Sequence, residues 1–592
     1  MFSSLKRLGE LRNSEVTLPI QEIKLSGKGP FTFRAVVFDS DRKEVRFEDY
    51  EMTPSTVYEW NYIGNAKANK PMDRLTTPTL KYILGFDEKG EVQRENKQVL
   101  KAAQGIPVVG DILREVSEWY SPEKWKDKVG KDMFDADLYS VVVVKDGKRI
   151  ELAKLKEYQD YLRGSDDGDE GEGGGKKKVQ VPCQLCGRPT SMDNPDYPGG
   201  TLLKMYITDK KGFVSGVTDS PDARMRTHVV CNDCKNLMEI GQRYVMDSMR
   251  ANVGKLSVYV VPSLSPKAPT TLLDRIKVEG RGWIVSFMDI QKVQEEIKDE
   301  AEIGDWVYSV TLVWAAVQQS KFAVSKVMYD VTVPRLLEIK RTSKRVDRGL
   351  GIKDLTGKEL DVVALYSISP VKESSRGAMA TPFLDVMSSL MEGYPIDENY
   401  VYSSFLQELK CIRTNTCQNF FSKELSLEKG TMLATGFIKM FQVLNIMGSS
   451  QMVDTTSVEN PIDYAKRLGL SKGHTGLFLL GVVTASVGLA QYKKGDKKKA
   501  ILDRIDFEGM DLSDVKTYMS RLVESLRDYN ILSYNEALVG EATSMINEDT
   551  SSLSSPQENV FWILSGYSWQ TLKMIKKGEI KEDEEKGGEQ DE

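Results

Sequence analysis

TGLFLLGVVTASVGLAQYKK, from Thr475 to Lys494, contains the longest apolar run of this 592-residue chain. The run from Leu477 to Ala490 is interrupted by glycine, threonine and serine, and it is shorter than the roughly 20 residues that a membrane-spanning helix needs. It therefore predicts a buried helix. No secretion signal opens the chain, and six cysteines are too few for a disulfide framework, so we expect a soluble cytoplasmic protein with no membrane partner.

The residues around this run lack strand signals from about Asn399 onward. Amphipathic segments replace them, and apolar positions such as Tyr518, Leu522 and Leu526 follow a period near 3.6 residues. We predict a bundle of about six to eight helices. The predicted helices are Tyr402–Phe421, Lys429–Ile446, Pro461–Leu468, Gly476–Lys493, Lys498–Phe507, Leu512–Tyr529, Ser533–Met545 and Pro556–Lys577.

The earlier part of the chain mixes strands and helices. FTFRAVVF from Phe31 predicts a strand, which EVRFEDY follows after the turn-like DSDRK, and YSVVVVKDGKRIEL from Tyr139 predicts a strand, an Asp-Gly turn and a return strand. The pattern between residues 97 and 125 is helical. Further strands are predicted at KLSVYVV from Lys255, GDWVYSVTLVWAAV from Gly304 and DVVALYSIS from Asp361, and a helix at Pro334–Arg348.

The chain is too long for a single hydrophobic core, and its composition changes along its length. The predicted fold class is α+β: a mixed α/β N-terminal part with an inserted four-cysteine zinc module, followed by an all-α helical bundle. The predicted segments are an N-terminal α/β domain at 1–164, a flexible acidic and basic linker at 165–178, a zinc-binding module at 179–254, an α/β continuation at 255–395, the helical bundle at 396–578 and a disordered acidic tail at 579–592.

Four cysteines form two C-x-x-C pairs with 44 residues between them. Each such pair can present two thiolates to one tetrahedral ion, and a closed four-sulfur site leaves no position for water. We therefore predict one structural Zn²⁺; an iron–sulfur cluster or four unligated cysteines are the alternatives. His228, close to the second pair, is expected beside the site or on the surface rather than as a ligand. The predicted ligands are Cys183, Cys186, Cys231 and Cys234.

The remaining cysteines and the histidines limit the possible chemistry. Cys411 and Cys417 are six residues apart on a predicted helix, where they would not face each other, so buried free thiols are expected. A Ser–His–Asp hydrolase or a histidine-based zinc protease needs histidine at defined places, and the only two histidines, His228 and His474, are not near each other in the sequence, which disfavours both classes. It has no phosphate-binding glycine loop either, although carboxylate chemistry stays open.

Two groups of basic residues are candidates for contacts with nucleic acid. One forms a stripe along the predicted helix after Pro334, without acidic residues between Lys340 and Arg345, as a phosphate backbone would require. The other lies at a helix end, where cations are favoured in any case. A solvated surface is the alternative for both. The candidate residues are Lys340, Arg341, Lys344, Arg345 and Arg348 in the first group, and Lys493, Lys494, Lys497, Lys498 and Lys499 in the second.

Taken in order, these features resemble the large subunit of type I-B CRISPR Cascade, the Csh/TM-type family. The resemblance runs through the α/β front part, the cysteine pairs, the apolar segment at Thr475–Lys494 and the helix DLSDVKTYMSRLVESLRDYN at Asp511–Asn530. It implies a non-catalytic DNA- and RNA-binding subunit of an antiviral ribonucleoprotein complex. The implied partners are guide RNA, target DNA, the backbone and repeat-processing subunits of Cascade, and the helicase–nuclease.

The resemblance also implies specific tasks. Such a subunit recognises the protospacer-adjacent motif, helps to open the duplex and recruits the helicase–nuclease, while guide pairing reads the sequence. Two other classes stay open. One is a carboxylate-metal nuclease or a palm-type enzyme subunit of a related CRISPR effector, although no GGDD sequence occurs. The other is a zinc-containing scaffold without a nucleic-acid role.

Overall fold

The structure, a computed structural model, forms two compact units. The smaller comprises Arg12–Pro198 and Tyr206–Ile240, and the larger comprises Met1–Leu11, Gly199–Met205 and Gly241–Glu592. The first helix, α1 (Phe2–Arg12), opens the chain. The predicted linker at 165–178, the tail at 579–592 and Lys497–Lys499 lie outside the described residues. The described residues are 1–12, 31–51, 60–62, 71–164, 180–191, 197, 200–205, 228–270, 272–273, 306–318, 321–374, 377–448, 460–495 and 500–578.

A five-stranded sheet forms the core of the smaller unit. Its order is β2-β1-β4-β3, with β5 also paired to β4; β1 and β4 run parallel and the other pairs are antiparallel. The strand predicted from Phe31 and the hairpin predicted from Tyr139 are confirmed. Asp146 and Gly147 have φ values of 52° and 69°, as a tight two-residue turn requires. The strands are β1 (Thr32–Asp39), β2 (Glu44–Glu51), β3 (Thr76–Thr77), β4 (Leu138–Lys145) and β5 (Lys148–Glu151).

Short helices cover this sheet, including those predicted between residues 97 and 125. Val109, Leu113 and Val116 recur at helical spacing and are fully buried against the strands. A two-stranded hairpin follows later in the unit, formed by β6 (Gln180–Pro182) and β7 (Pro189–Ser191). The helices are α2 (Lys81–Leu84), α3 (Val99–Ala102), α4 (Val109–Trp119), α5 (Pro122–Trp125), α6 (Lys156–Gly164) and α7 (Asn232–Ser248), within which the chain passes to the larger unit.

The larger unit contains a four-stranded antiparallel sheet in the order β11-β10-β9-β8. The strands predicted from Lys255 and from Gly304 are confirmed as β9 and β10. Trp314 on β10 is fully buried and meets Phe383 edge to face at 5.6 Å. The strands are β8 (Arg250–Val253), β9 (Leu256–Leu264), β10 (Val307–Gln318) and β11 (Lys321–Thr332), and a separate pair is formed by β12 (Lys372–Ser374) and β13 (Gly377–Met379).

Helices follow directly from β11. The predicted helix at Pro334–Arg348 is confirmed: Thr332 caps it by accepting a hydrogen bond from the Arg335 amide at 3.3 Å, and Gly351 ends it with φ 63°. The strand predicted at DVVALYSIS is wrong. Asp361 instead accepts a hydrogen bond from the Ala364 amide at 2.7 Å and starts a helix. The helices are α8 (Val333–Leu350), α9 (Ile352–Thr356), α10 (Val362–Ser367) and α11 (Thr381–Glu392).

The C-terminal part is all helical, as predicted. The predicted helix at Tyr402–Phe421 is broken at Asn415, whose φ of 54° caps the preceding helix. Of the helix predicted at Lys498–Phe507, the structure describes the residues from Ala500 onward, and these form a 3₁₀ turn at Ala500–Arg504. The helices are α12 (Glu398–Thr414), α13 (Phe420–Lys423), α14 (Leu427–Val443), α15 (Pro461–Leu468), α16 (Lys472–Lys493), α17 (Leu512–Asp528), α18 (Leu532–Glu548) and α19 (Pro556–Lys576).

Helix α16, which carries the apolar run, lies at the centre of this bundle and packs against α18 and α19. By length and composition it could cross a membrane, but 78% of its apolar window is buried inside the fold. Glycines allow the close approach of α16 and α19: a Cβ on Gly481 would lie 1.9 Å from the Ile563 carbonyl oxygen. The predicted burial of this segment is therefore confirmed.

Candidate metal centre and cationic helix face

The first cysteine pair lies in the turn between β6 and β7. The Cys183 amide donates to the Arg188 carbonyl at 2.8 Å, and the Gly187 amide donates to the Cys183 carbonyl at 2.9 Å. Gly187 has φ 73°, a conformation that glycine adopts without steric cost. This tight turn directs Cys183 and Cys186 to the same side of the hairpin.

The second pair lies at the start of α7. Cys231 immediately precedes the helix and Cys234 lies in its first turn, where the amide groups favour negative charge. Gln184 links the two turns: its amide donates to the Val229 carbonyl at 3.0 Å, and its side-chain oxygen accepts from the Val229 amide at 3.3 Å. The two cysteine pairs are thereby held together across 44 intervening residues.

The four cysteine sulfurs form one cluster in which all of them lie within 4.8 Å of one another. The Sγ atoms of Cys186 and Cys231 are 3.6 Å apart. A tetrahedral ion with metal–sulfur distances of about 2.3 Å places neighbouring sulfurs about 3.8 Å apart. Cys183 and Cys234 are buried, and the other two are half-buried. The cluster can therefore hold a metal ion, and its four sulfurs suit zinc.

The electrostatics of the cluster favour a cation. Burial opposes ionisation of Cys183, but backbone amides, including that of Cys231, outweigh it and lower its pKa to about 6. Burial and the adjacent sulfurs raise the pKa values of Cys231 and Cys234. Because four crowded thiolates repel one another, a central cation would allow all four to ionise together.

His228 lies three residues before Cys231 in the sequence and is not one of the four clustered residues. It is buried, and its Nε2 is 2.6 Å from the Tyr197 hydroxyl, so of the two predicted positions, beside the site or on the surface, the surface position is excluded. Burial lowers the pKa of His228, which favours the neutral ring. Its absence from the four-residue cluster agrees with the prediction that it is not a ligand.

The predicted basic stripe lies on the exposed face of α8. Leu336, Ile339 and Val346 bury the opposite face. Within the described part of the chain, no carboxylate is paired with Arg341, Lys344 or Arg348. The exposed residues of the stripe are Arg341, Lys344, Arg345 and Arg348, and Lys340 is half-exposed.

The second basic group is only partly described. Lys493 ends α16 and is exposed, and Lys494 lies over the ring of Tyr529 at 4.4 Å. A cation–π contact of this kind gives Lys494 a packing role. The described lysines of this group therefore offer less free cationic surface than α8.

Comparison with known families identifies the chain. Residues 180–331 match the central domain of CRISPR-associated protein TM1802, and residues 360–581 match the C-terminal domain of the same protein. The two matches together cover more than half of the 592 residues. The chain belongs to the CRISPR-associated protein TM1802 family. The predicted resemblance to Csh/TM-type large subunits of type I-B Cascade is thereby confirmed.

The two matched regions of this TM1802-family protein contain different parts of the candidate sites. The central match includes all four cysteines of the metal cluster, and the C-terminal match includes α16 and the helices around it. Helix α8 lies between the two matched regions, so its cationic face is a feature of this sequence that the family matches do not cover. No curated protein matches the chain.

Proposed function

We propose that this TM1802-family protein is the non-catalytic large subunit of a cytoplasmic type I-B Cascade complex. In this role it contributes to guide-RNA complex assembly, recognition of the protospacer-adjacent motif, target DNA binding and recruitment of the helicase–nuclease. The observation that carries the proposal is the pair of family matches, which lie in the family's order along one chain. Because base pairing with the guide RNA reads the target sequence, such a subunit needs to recognise only the shape and charge of the nucleic acid and the short adjacent motif.

The cysteine cluster has a structural role in this proposal. Four sulfur ligands around one Zn²⁺ would leave no open position for water or substrate, so the ion would stabilise the module rather than catalyse a reaction. Among the described residues, hydrogen bonds between Gln184 and Val229 join the two cysteine turns, and the binding energy of a structural ion would add to the stability of the module.

The exposed face of α8 is the proposed phosphate-binding surface. Arg341, Lys344 and Arg348 recur at three- and four-residue intervals, which places them along one side of the helix. Their exposure leaves the guanidinium and ammonium groups available to DNA or RNA phosphates. A rigid helix anchored by Ile339 and Val346 would hold these charges at fixed spacing.

Charge reversal tests this surface. Arg341→Glu, Lys344→Glu and Arg348→Glu together should weaken binding to duplex DNA of any sequence. The slope of log affinity against log salt should fall by about 1 for each phosphate contact that is lost. Fluorescence anisotropy at several salt concentrations, with and without guide-RNA partners, measures both effects.

The matched control reverses three exposed cations on α17, which also carries the acidic residues Asp514, Glu524 and Asp528. The control substitutions are Lys516→Glu, Arg521→Glu and Arg527→Glu. The control changes net charge equally and should affect DNA binding much less. Equal loss in both triple variants would mean that only net charge matters. Unchanged binding in the α8 variant would leave its cations as a solvated surface.

The proposed function as a whole is tested by co-purification and by an activity assay. The chain, expressed with its neighbouring subunits, should elute with an RNA-containing complex. Incubation of the purified chain with DNA, RNA or nucleotides and Mg²⁺ or Mn²⁺ should give no cleavage or cyclisation. Turnover that is lost when a pair of carboxylates is mutated would replace the proposal with the enzyme alternative.

A further inference from the structure

A second cluster of metal-binding residue types lies in the larger unit, around the end of α12. The cluster comprises Glu408, Cys411 and Cys417, whose donor atoms all lie within 4.8 Å of one another. Glu408 and Cys411 are three residues apart on one face of α12. Asn415, with φ 54°, then reverses the chain, and the Thr416 amide donates to the Cys411 carbonyl at 3.0 Å. This turn brings Cys417 back against the helix.

The two cysteines are close enough to react with each other. Their Cα atoms are 5.0 Å apart, and the structure joins them as a disulfide. The prediction that they are free thiols that do not face each other is therefore wrong, because the helix ends at Thr414 before it reaches Cys417. In a reducing environment both would return to thiols, the form that binds metal ions.

Glu408 supplies an independent sign of a missing ligand. Its side chain is only 4% exposed, and its Oε1 atom has no hydrogen-bond partner among the described residues. Desolvation raises the pKa of this carboxyl to about 7. A buried carboxylate oxygen without a partner is costly, and a bound cation would satisfy it.

We propose that, in the reduced chain, Glu408, Cys411 and Cys417 bind one Zn²⁺ ion, and that the disulfide is the metal-free form. Two thiolates and a carboxylate are ligand types that Zn²⁺ accepts, and water would complete the tetrahedron. Cys411 is half-exposed, which gives the ion and the water a path to the site.

The two forms differ by two electrons. Opening the disulfide requires a dithiol, or two molecules of a low-molecular-weight thiol, which is oxidised to its own disulfide while Cys411 and Cys417 each gain a hydrogen. Binding of Zn²⁺ then releases the two thiol protons to water. In the reverse direction, a low-molecular-weight disulfide would take two electrons from the zinc-bound thiolates and leave as two thiols, with two protons from water, while the Cys411–Cys417 disulfide reforms and the ion is released.

Zinc counting on the full-length chain tests this proposal. After reduction, equilibration with Zn²⁺ and removal of unbound metal, elemental analysis should find two zinc ions per chain, one in each cysteine cluster. Glu408→Gln and Cys417→Ser should each lower the count from two to one. The control Glu424→Gln changes an exposed glutamate shortly after this segment and should retain two zinc ions.

A second measurement needs no variant. In the reduced chain, Zn²⁺ should protect Cys411 and Cys417 from alkylation, with the modified peptides quantified by mass spectrometry. Three results would each overturn the proposal. They are one zinc ion per reduced wild-type chain, two zinc ions in the Glu408→Gln variant, or equal alkylation of Cys411 and Cys417 with and without Zn²⁺.

Discussion

Individual cysteines decide whether the proposed structural zinc site forms. Replacing Cys183 by serine removes one of the four proposed ligands and leaves only three cysteine sulfurs to hold the ion. We expect Cys183→Ser to release one zinc ion per chain and to destabilise the module by several kcal/mol, since the binding energy of structural zinc contributes to folding. Elemental analysis and protease sensitivity of residues 180–240 measure the two effects.

A control for this variant lies in the same hairpin. Arg188 pairs with Asp233 at 3.0 Å, but both side chains are well exposed, so the ion pair contributes at most about 1 kcal/mol. Arg188→Ala should therefore keep its zinc. Full zinc retention and unchanged protease resistance in Cys183→Ser would contradict the four-ligand site.

A buried lysine gives a pH-dependent prediction. Lys439 on α14 is 1% exposed and donates to the carbonyl of Leu468, the last residue of α15, at 3.0 Å. Desolvation lowers its pKa to about 8. Below pH 8 the amine is protonated in both the folded and the unfolded state, and the full cost of the buried charge is present. Between pH 8 and about 10.5 the folded state loses its proton first, so stability rises with pH.

Lys439→Met isolates this contribution because other titrating groups are common to both proteins. The free energy of unfolding of the wild type should rise relative to that of the variant by up to about 3 kcal/mol between pH 7.5 and pH 10.5. Urea unfolding at several pH values measures the difference. Parallel pH profiles of the two proteins would show that Lys439 titrates normally in the fold.

The cysteine pairs at Cys183 and Cys231 were predictable from the sequence because their spacing suits one ion. Other residue-level features were not. The environment of Glu408 depends on the chain reversal at Asn415, which brings Cys417 back against α12. The helical period predicted one continuous helix through Asn415. Such a helix would keep Cys411 and Cys417 apart, whereas the structure joins them.

Helix packing in the C-terminal bundle depends on the absence of side chains at two glycines. A Cβ on Gly481 of α16 would lie 1.9 Å from the Ile563 carbonyl oxygen, and one on Gly566 of α19 would lie 1.9 Å from the Phe478 carbonyl oxygen. Gly481→Ala or Gly566→Ala should therefore force the helices apart. We expect each to lower the free energy of unfolding by about 1–3 kcal/mol or more.

Gly540 on α18 is the matched control, because nothing lies within 4 Å of the position of its Cβ. Gly540→Ala should be neutral or should stabilise by up to about 1 kcal/mol, since alanine favours the helix. Chemical unfolding of the three variants compares them directly. Similar behaviour of all three would argue against close contact between α16 and α19.

Strongly amphipathic or capped helices were predicted well. Pro461–Leu468 was predicted with the bounds that α15 has, and Leu512–Tyr529 differs from α17 by one residue. DVVALYSIS failed because nearly all residues of α10 are buried, so no polar face reveals the helical period. A short, fully buried segment can be a helix or a strand by composition alone, and the cap at Asp361 decides it.

The order of the strands in the sheets could not be predicted from local sequence patterns. The parallel pairing of β1 with β4 joins Phe33 to Leu138 across more than a hundred residues, and no turn signal indicates it. Hairpins such as β4–β5 were predictable because their turns are local. The α+β class and the helical C-terminal part could therefore be predicted, but the sheet order could not.

Charge is unevenly distributed along the entire chain, which leads to a last prediction. Residues 579–592 contain eight acidic residues and two lysines, and the net charge of the full chain is −6, so the remaining 578 residues are about neutral. If the α8 face binds phosphates, an acidic tail on the same polypeptide opposes the approach of DNA.

Truncation after Gly578 should raise affinity for duplex DNA by roughly two- to tenfold at low salt, and the gain should shrink as salt screens the charges. A full-length variant whose eight tail acids are replaced by glutamine or asparagine separates charge from length, and it should bind as tightly as the truncated chain. Fluorescence anisotropy across a salt series compares the three proteins, and equal affinities at low salt would show that the tail's charge does not act on DNA binding.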